Sequence, residues 1–171
     1  MFRVAIGQDS HRFTDSRDNK KLVLGGVVIE GYPGLKGNSD ADVVLHAVTN
    51  AISGISCVNI LGKRTDELCL NKGITDSRVY LKEALETLKS KKITHVSVSI
   101  EALIPKLAPY IELMRQSIAG LLNLDVNSVG ITATSGEGLT EFGKGNGIFC
   151  TAVITVQEIF TESKAATQTD G

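Results

Sequence analysis

The sequence predicts an α/β fold, built as an α+β sandwich: helices packed on one face of a mixed β-sheet, in ferredoxin-like βαβ units. Three observations carry this expectation. Strand-like and helix-like stretches alternate along the chain. Residues 95–101 alternate cleanly, with Val96, Val98 and Ile100 on one side and His95, Ser97, Ser99 and Glu101 on the other, as in a strand with one wet face. No repeat or linker divides the 171 residues, a length that suits one domain of the usual ~50–250 residues. The expected division is a single domain over residues 1–157 and a flexible C-terminal tail over 158–171.

Residues 2–7 read as the first strand, and 8–20 as a polar connection carrying Asp9 and His11. Residues 21–30 hold Leu22-Val23-Leu24, Gly25-Gly26 and Val27-Val28-Ile29, which predicts a hairpin or bent ribbon. Pro33, Gly34 and Gly37 break the chain over 31–39. A helix follows, capped by Ser39 or Asp40, with Leu45, Val48, Ile52 and Ile55 at helical spacing. Residues 57–75 read as irregular. Asp76 caps the next helix, whose stripe is Leu81, Ala84, Leu85 and Leu88. Pro105-Lys106-Leu107-Ala108-Pro109 opens a third, with Tyr110, Met114, Ile118 and Leu121 facing inward. Residues 129–134 form a strand, 135–147 a glycine-rich loop, and 148–157 a long closing strand.

Composition excludes several classes of function. The hydrophobic share is 42%, the charged share 22% and the net charge −1. That balance offers no basic footprint for nucleic acid and no basic amphipathic stretch for a membrane surface. No apolar run approaches the ~20 residues of a membrane span. The N-terminus reads as a strand and not as an export signal, so a cytoplasmic location is expected. Cys57, Cys69 and Cys150 lack metal-ribbon or redox spacing and read as reduced and structural. An anionic substrate would need local help from a metal, a few cations or backbone N–H groups.

Three stretches could supply it. Asp9 and His11, two residues apart on an extended chain, point the same way. Asp42 and His46, four apart on a helix, share a face. One carboxylate and two imidazoles with an open position make a catalytic-zinc ligand set, and Asp40 or Asp42 could orient a ligand histidine. The same residues also fit a polar strand end, a core histidine and simple capping charges. The second stretch runs from Thr132 to Gly138 and on through Gly143-Lys144-Gly145-Asn146-Gly147, where glycine backbone could meet phosphate. It is neither a P-loop, since Gly145 stands where Ser or Thr should hold magnesium, nor a dinucleotide fingerprint. A plain hairpin loop fits it as well. The third is Lys106 at the expected helix start, either an anion site or only a proline-initiated helix.

Taken together and in this order, these stretches resemble the 2-C-methyl-D-erythritol 2,4-cyclodiphosphate synthase family. The resemblance covers residues 2–157. Its most specific parts are Gly7-Gln8-Asp9-Ser10-His11-Arg12-Phe13, Asn38-Ser39-Asp40-Ala41-Asp42-Val43-Val44-Leu45-His46-Ala47, and 102–115 with Pro105-Lys106 inside; Leu24-Gly25-Gly26-Val27 and 131–147 add support. The resemblance implies a phosphorus-oxygen lyase of the non-mevalonate isoprenoid pathway. Its substrate would be 4-diphosphocytidyl-2-C-methyl-D-erythritol 2-phosphate, cyclised with loss of CMP. It also implies a homotrimer with sites between subunits, and a central channel able to hold an isoprenoid diphosphate.

By position, the resemblance makes Asp9, His11 and His46 ligands of a zinc-type ion (zinc or manganese), and Glu137 the ligand of a second cation (magnesium or manganese). Ser135 matches a hydroxyl that steadies the transition state, and Asn38 stands at a catalytic position beside the metal. Ser10, Asn38, Ser39 and Gly62 fall among substrate contacts. So do Ala102, Pro105, Lys106, Leu107 and Ala108, then Ala133, Thr134, Ser135 and Gly136, and finally Lys144.

The chain departs from the family pattern at several points. Asn38 replaces a histidine. Ile60 stands where an aspartate usually holds the ribose. Thr65-Asp66-Glu67 replaces Phe-Pro-Asp, Lys144 replaces arginine, and Asn146 replaces glutamate. Two other readings are a zinc-dependent phosphodiesterase and a weakly active homologue that mainly binds a nucleotide or an isoprenoid diphosphate. Three histidines are few for the former.

Overall fold

The computed structural model describes residues 1–15 and 18–159. Its main sheet has four strands: β1 (Phe2–Arg12), β6 (Gly147–Glu158), β4 (Lys91–Glu101) and β5 (Val129–Thr134), in that spatial order. β6 runs antiparallel to both neighbours, and β4 and β5 are parallel. A parallel pair needs a crossover, and α4 (Ile111–Leu122) supplies it. β2 (Lys21–Leu24) and β3 (Val27–Pro33) form a separate hairpin around Gly25-Gly26. The expected mixed sheet with helices on one face is present.

The inward side chains of β4 (Ile93, Val96, Val98, Ile100) and β6 (Ile148, Cys150, Ala152, Ile154, Val156) are buried in one core with Val44, Val48 and Ile52 of α1 (Val43–Ser56). Among the described residues, the opposite sheet face carries no helix. There Phe2, Val4 and Ile6 of β1 remain 66%, 65% and 60% exposed.

Several boundaries differ from the sequence reading. β1 does not stop at Gly7 but continues through Arg12, because β6 pairs with it to the end, His11 opposite Ile148 and Arg12 opposite Gly147. The cap of α1 is Asp42, not Ser39 or Asp40. Ala41 turns the chain with φ of 57°, and Asp42 then accepts from the backbone N–H groups of Val44 and Leu45, both at 3.0 Å. Residues 57–75 are not wholly irregular, since α2 (Lys63–Lys72) lies within them. Only Thr65 and Cys69 of this helix are buried, so it shows little apolar stripe; Gly73, with φ of 66°, ends it. The third helix does not open at Pro105. A 3-10 turn over Ala108–Tyr110 intervenes before α4.

The remaining helix, α3 (Ser77–Glu86), begins as expected at its Asp76 cap. Glu158 belongs to β6, and the rest of the expected tail lies outside the described residues, apart from Ile159. No helix among the described residues is long and apolar enough to cross a membrane.

Candidate active site

The backbone brings Asp9 and His11 of β1 to His46 of α1 through a close strand–helix contact. Gly7 makes that contact possible: a Cβ there would overlap the carbonyl oxygen of Ala47 and the amide of Ala51. Asn50 adds a hydrogen bond from its side-chain amide to the carbonyl of Gln8, at 2.9 Å. The N-terminus of α1 is pinned separately. Buried Asp42 accepts from Gly25 N–H at 2.8 Å and Gly26 N–H at 2.6 Å, which ties the helix to the β2–β3 turn. Burial pushes Asp42 up to about 6, against the opposing pull of its backbone N–H donors.

At the resulting cluster, Asp9 Oδ2 lies 2.9 Å from His46 Nδ1 and 3.2 Å from His11 Nε2. One ligand atom from each residue falls within a 4.8 Å span. His11 Nε2 is buried, its contact with Asp9 lacks hydrogen-bond geometry, and it has no other partner among the described residues. A buried imidazole nitrogen left unsatisfied next to a carboxylate is what a bound cation would resolve. Donor type and spacing therefore fit a zinc-type ion. Burial opposes the charged form of Asp9, but the contacts from His11 and His46 outweigh it and hold the carboxyl well below the usual carboxylate range.

The cluster opens into a pocket of about 340 Å³. Asn38, Ser39 and Gly62 line it, so the structure joins these three to the metal candidates. Asn38 donates to Asp66 at 3.2 Å, which places a carboxylate from α2 beside the opening. Ile60 is fully buried and offers this pocket no polar group.

Ser10 points to the other face of β1, as strand alternation requires. It lines a separate pocket of about 350 Å³ with Arg12, Phe142 and Asn146.

A third pocket, of about 240 Å³, collects Ala102, Pro105, Lys106, Leu107 and Ala108 with Ala133, Thr134 and Ser135. These are the sequence-predicted nucleotide contacts, and they converge although more than twenty residues separate the two groups. Ser10, Phe149, Glu101 and Thr134 are paired in one row across the sheet. The metal cluster and this third pocket thus sit at the same end of the sheet but on opposite edge strands. Three strand spacings make that separation about 14 Å.

Gly136, Glu137 and Lys144 lie outside both of these pockets. Glu137 is exposed in a 3-10 turn over Gly136–Gly138 and holds φ at 47°. Gly136 needs to be glycine: its φ is 66°, and a Cβ would run into the Glu101 carboxylate. Lys144 pairs with Glu141 at 3.2 Å.

Sequence reasoning missed Ser77. It reads as a residue in a first helical turn, yet its hydroxyl is buried and stands 2.8 Å from His46 Nε2. Polar residues at a helix start are so common that nothing local marks this one.

The family model described as the YgbB family matches residues 2–157. A relative from Chlamydia caviae, named 2-C-methyl-D-erythritol 2,4-cyclodiphosphate synthase, is 53% identical over 159 residues, covering 92% of this chain and 90% of that protein. A relative of the same name from Chlamydia abortus is 50% identical over 159 residues, again covering 92% and 90%. A solved 2C-methyl-D-erythritol-2,4-cyclodiphosphate synthase in its CDP-bound form aligns with a TM-score of 0.80 and 26% identity, covering 91% of this chain and 100% of that one. The bifunctional IspDF from Campylobacter jejuni aligns with a TM-score of 0.84 and 27% identity over 93% of this chain, which spans 43% of that longer protein. With a metal-ligand cluster on β1 and α1 and a family match running from residue 2 to residue 157, this chain belongs to the YgbB family.

Proposed function

We propose that this chain converts 4-diphosphocytidyl-2-C-methyl-D-erythritol 2-phosphate to 2-C-methyl-D-erythritol 2,4-cyclodiphosphate and releases CMP. The observation that carries this is the Asp9–His11–His46 cluster at one edge of the sheet, in a chain half-identical to synthases of that name. An oxygen of the 2-phosphate bonds to the β-phosphorus, the bond from that phosphorus to the CMP oxygen breaks, and CMP carries away the electron pair. No protein nucleophile is needed. The residues have to bring two anions together and hold them.

Asp9, His11 and His46 would hold zinc or manganese, and Glu137 would hold magnesium or manganese. When bound, these ions supply positive charge that offsets the phosphates. Lys106 adds a cation at the pocket of the cytidine contacts. The Ser135 hydroxyl donates a hydrogen bond toward the reacting phosphates, and Asn38 donates one beside the metal ligands. Pro105, Leu107 and Ala108, with Ala102 and Ala133, give the base an apolar seat; that a synthase of this fold has been solved with CDP bound supports a cytidine-diphosphate-linked ligand.

The separation of the two pockets supports a homotrimer. Metal ligands from one copy would meet the nucleotide pocket of the next. The uncovered sheet face with Phe2, Val4 and Ile6 gives the copies an apolar surface to pack. A channel along the trimer axis would then admit an isoprenoid diphosphate. The proposal places the enzyme in the cytoplasm.

Burial of Ile60 favours one alternative, a weakly active homologue that binds nucleotide without the usual ribose contact. One experiment separates the two. Purified protein is given the authentic substrate with zinc and magnesium, and CMP and the cyclic diphosphate are followed by phosphorus NMR. Equimolar CMP and cyclic product support the synthase. Saturable nucleotide binding without CMP release supports the alternative.

A further inference from the structure

His46 uses both ring nitrogens, and the hydrogen-bond chain behind it fixes which one carries the proton. Behind Nε2 stands the Ser77 hydroxyl, at 2.8 Å. The same hydroxyl makes a short hydrogen bond to Oδ1 of Asp40. Asp40 also accepts from the backbone, Oδ1 from Asp42 N–H at 3.2 Å and Oδ2 from Ser77 N–H at 3.1 Å. Its carboxylate is therefore the acceptor at the end of the chain. A serine hydroxyl has one hydrogen, and here that hydrogen goes to Asp40. Ser77 Oγ must then accept from His46 Nε2, so Nε2 is the protonated nitrogen. With Nε2 holding its proton for Ser77, Nδ1 is the nitrogen that takes a metal ion, or a proton when no metal is bound. That nitrogen faces Asp9 Oδ2 at 2.9 Å. The two atoms are close enough to share one cation.

We propose that Ser77, backed by Asp40, is a positioning residue that locks His46 in the Nε2–H tautomer and so presents Nδ1 to the metal. The proposal rests on the reading of Asp9, His11 and His46 as metal ligands. Of the two aspartates at the start of α1, Asp40 has this role, since Asp42 spends its oxygens on Val44, Leu45, Gly25 and Gly26. Ser77 is fully buried where α3 meets α1, so no water competes for the contact. Partners of this kind typically contribute ~10–100-fold in metal affinity.

The test begins with the wild-type protein carrying nitrogen-15 histidine. Only three histidines are present, so His46 can be assigned with one His46→Gln sample. The zinc-free protein should show an Nε2–H proton on His46, and zinc should shift Nδ1 alone. Chelator competition then measures zinc affinity. Ser77→Ala should bind zinc ~10–100-fold more weakly, and Ser77→Thr, which keeps the hydroxyl, should recover most of that loss. Thermal unfolding of the zinc-free variants reports any purely structural cost separately. An Nε2 without a proton in zinc-free wild type, or undiminished zinc affinity in folded Ser77→Ala, would overturn the proposal. A wild type that binds no zinc would instead sink the metal-ligand reading, and the zinc-free spectrum would still report the tautomer.

Discussion

Gly7 of β1 lies so close to Ala47 of α1 that the strand's Cα sits against the helix carbonyl, leaving no room for a side chain. His46 is the neighbour of that contact, and Asp9 lies two residues beyond it on the strand. The distance between the two ligands is therefore set by a glycine that touches neither.

Gly7→Ala should push α1 off β1. Overpacking of this kind costs about 1–3 kcal/mol, and both contacting atoms are backbone, so the upper end is expected. Urea unfolding should report the loss. Stoichiometric zinc should fall with it, because His46 moves away from Asp9. Unchanged stability and zinc content would show that the helix can shift without disturbing the ligands.

Asp42→Ala removes a cap worth about 0.5–2 kcal/mol. It also strands the amides of Gly25 and Gly26, and each orphaned buried donor costs about 1–3 kcal/mol. A loss of at least ~3 kcal/mol in urea unfolding is the expected outcome. A loss below ~1 kcal/mol would mean that water replaces the carboxylate and that the pin between α1 and the hairpin is unimportant.

His46→Ala should leave the fold intact and abolish stoichiometric zinc. Circular dichroism and elemental analysis on the same sample decide it. Zinc equal to wild type would remove His46 from the ligand set. In the wild type, a chelator should stop CMP release, and added zinc should restore it.

Glu137→Gln should keep the zinc, because Glu137 lies outside the Asp9–His11–His46 cluster. Turnover should fall by two to three powers of ten, about 3–4 kcal/mol of transition-state stabilisation. The magnesium requirement should rise, since a hard cation loses its carboxylate. Wild-type turnover at limiting magnesium would make Glu137 an ordinary surface charge.

Ile6→Glu tests the assembly. On a lone chain the position is exposed and a charge there costs little. On a trimer's inner face it would be buried against other copies and would break them apart. Light scattering should change from three copies to one, while the unfolding profile of the monomer survives. CMP release should disappear along with the trimer. A wild-type monomer at micromolar concentration would refute the shared site.

Much of this was legible in the order of residues. Alternation at 95–101 marked one of the two central strands, because a sheet with one buried face imposes a period of two. Asp9, His11 and His46 could be singled out by ligand type and by spacing on a strand and a helix. Even so, the same spacing also fitted a polar strand end and a core histidine. The α2 helix stayed hidden because its exposed surface carries almost no apolar stripe to read. The cap of α1 was misplaced by two or three residues, since a single left-handed residue, Ala41, decided which of several polar side chains meets the helix amides.

The sequence by itself determined most of the elements, α2 excepted, their order along the chain, and the chemical types available for a site. Those follow from local periodicity, turn residues and side-chain chemistry. Only the tertiary structure decided what meets what. It placed Ser77 behind His46 across 31 residues of chain, buried Ile60 away from the pocket, and put the Asp9–His11–His46 cluster and the pocket around Lys106 and Ser135 on opposite edges of one sheet. The physical reason is that such contacts depend on strand order and on the closeness of helix to sheet. Both are set by how the whole core packs, which no local stretch of residues encodes.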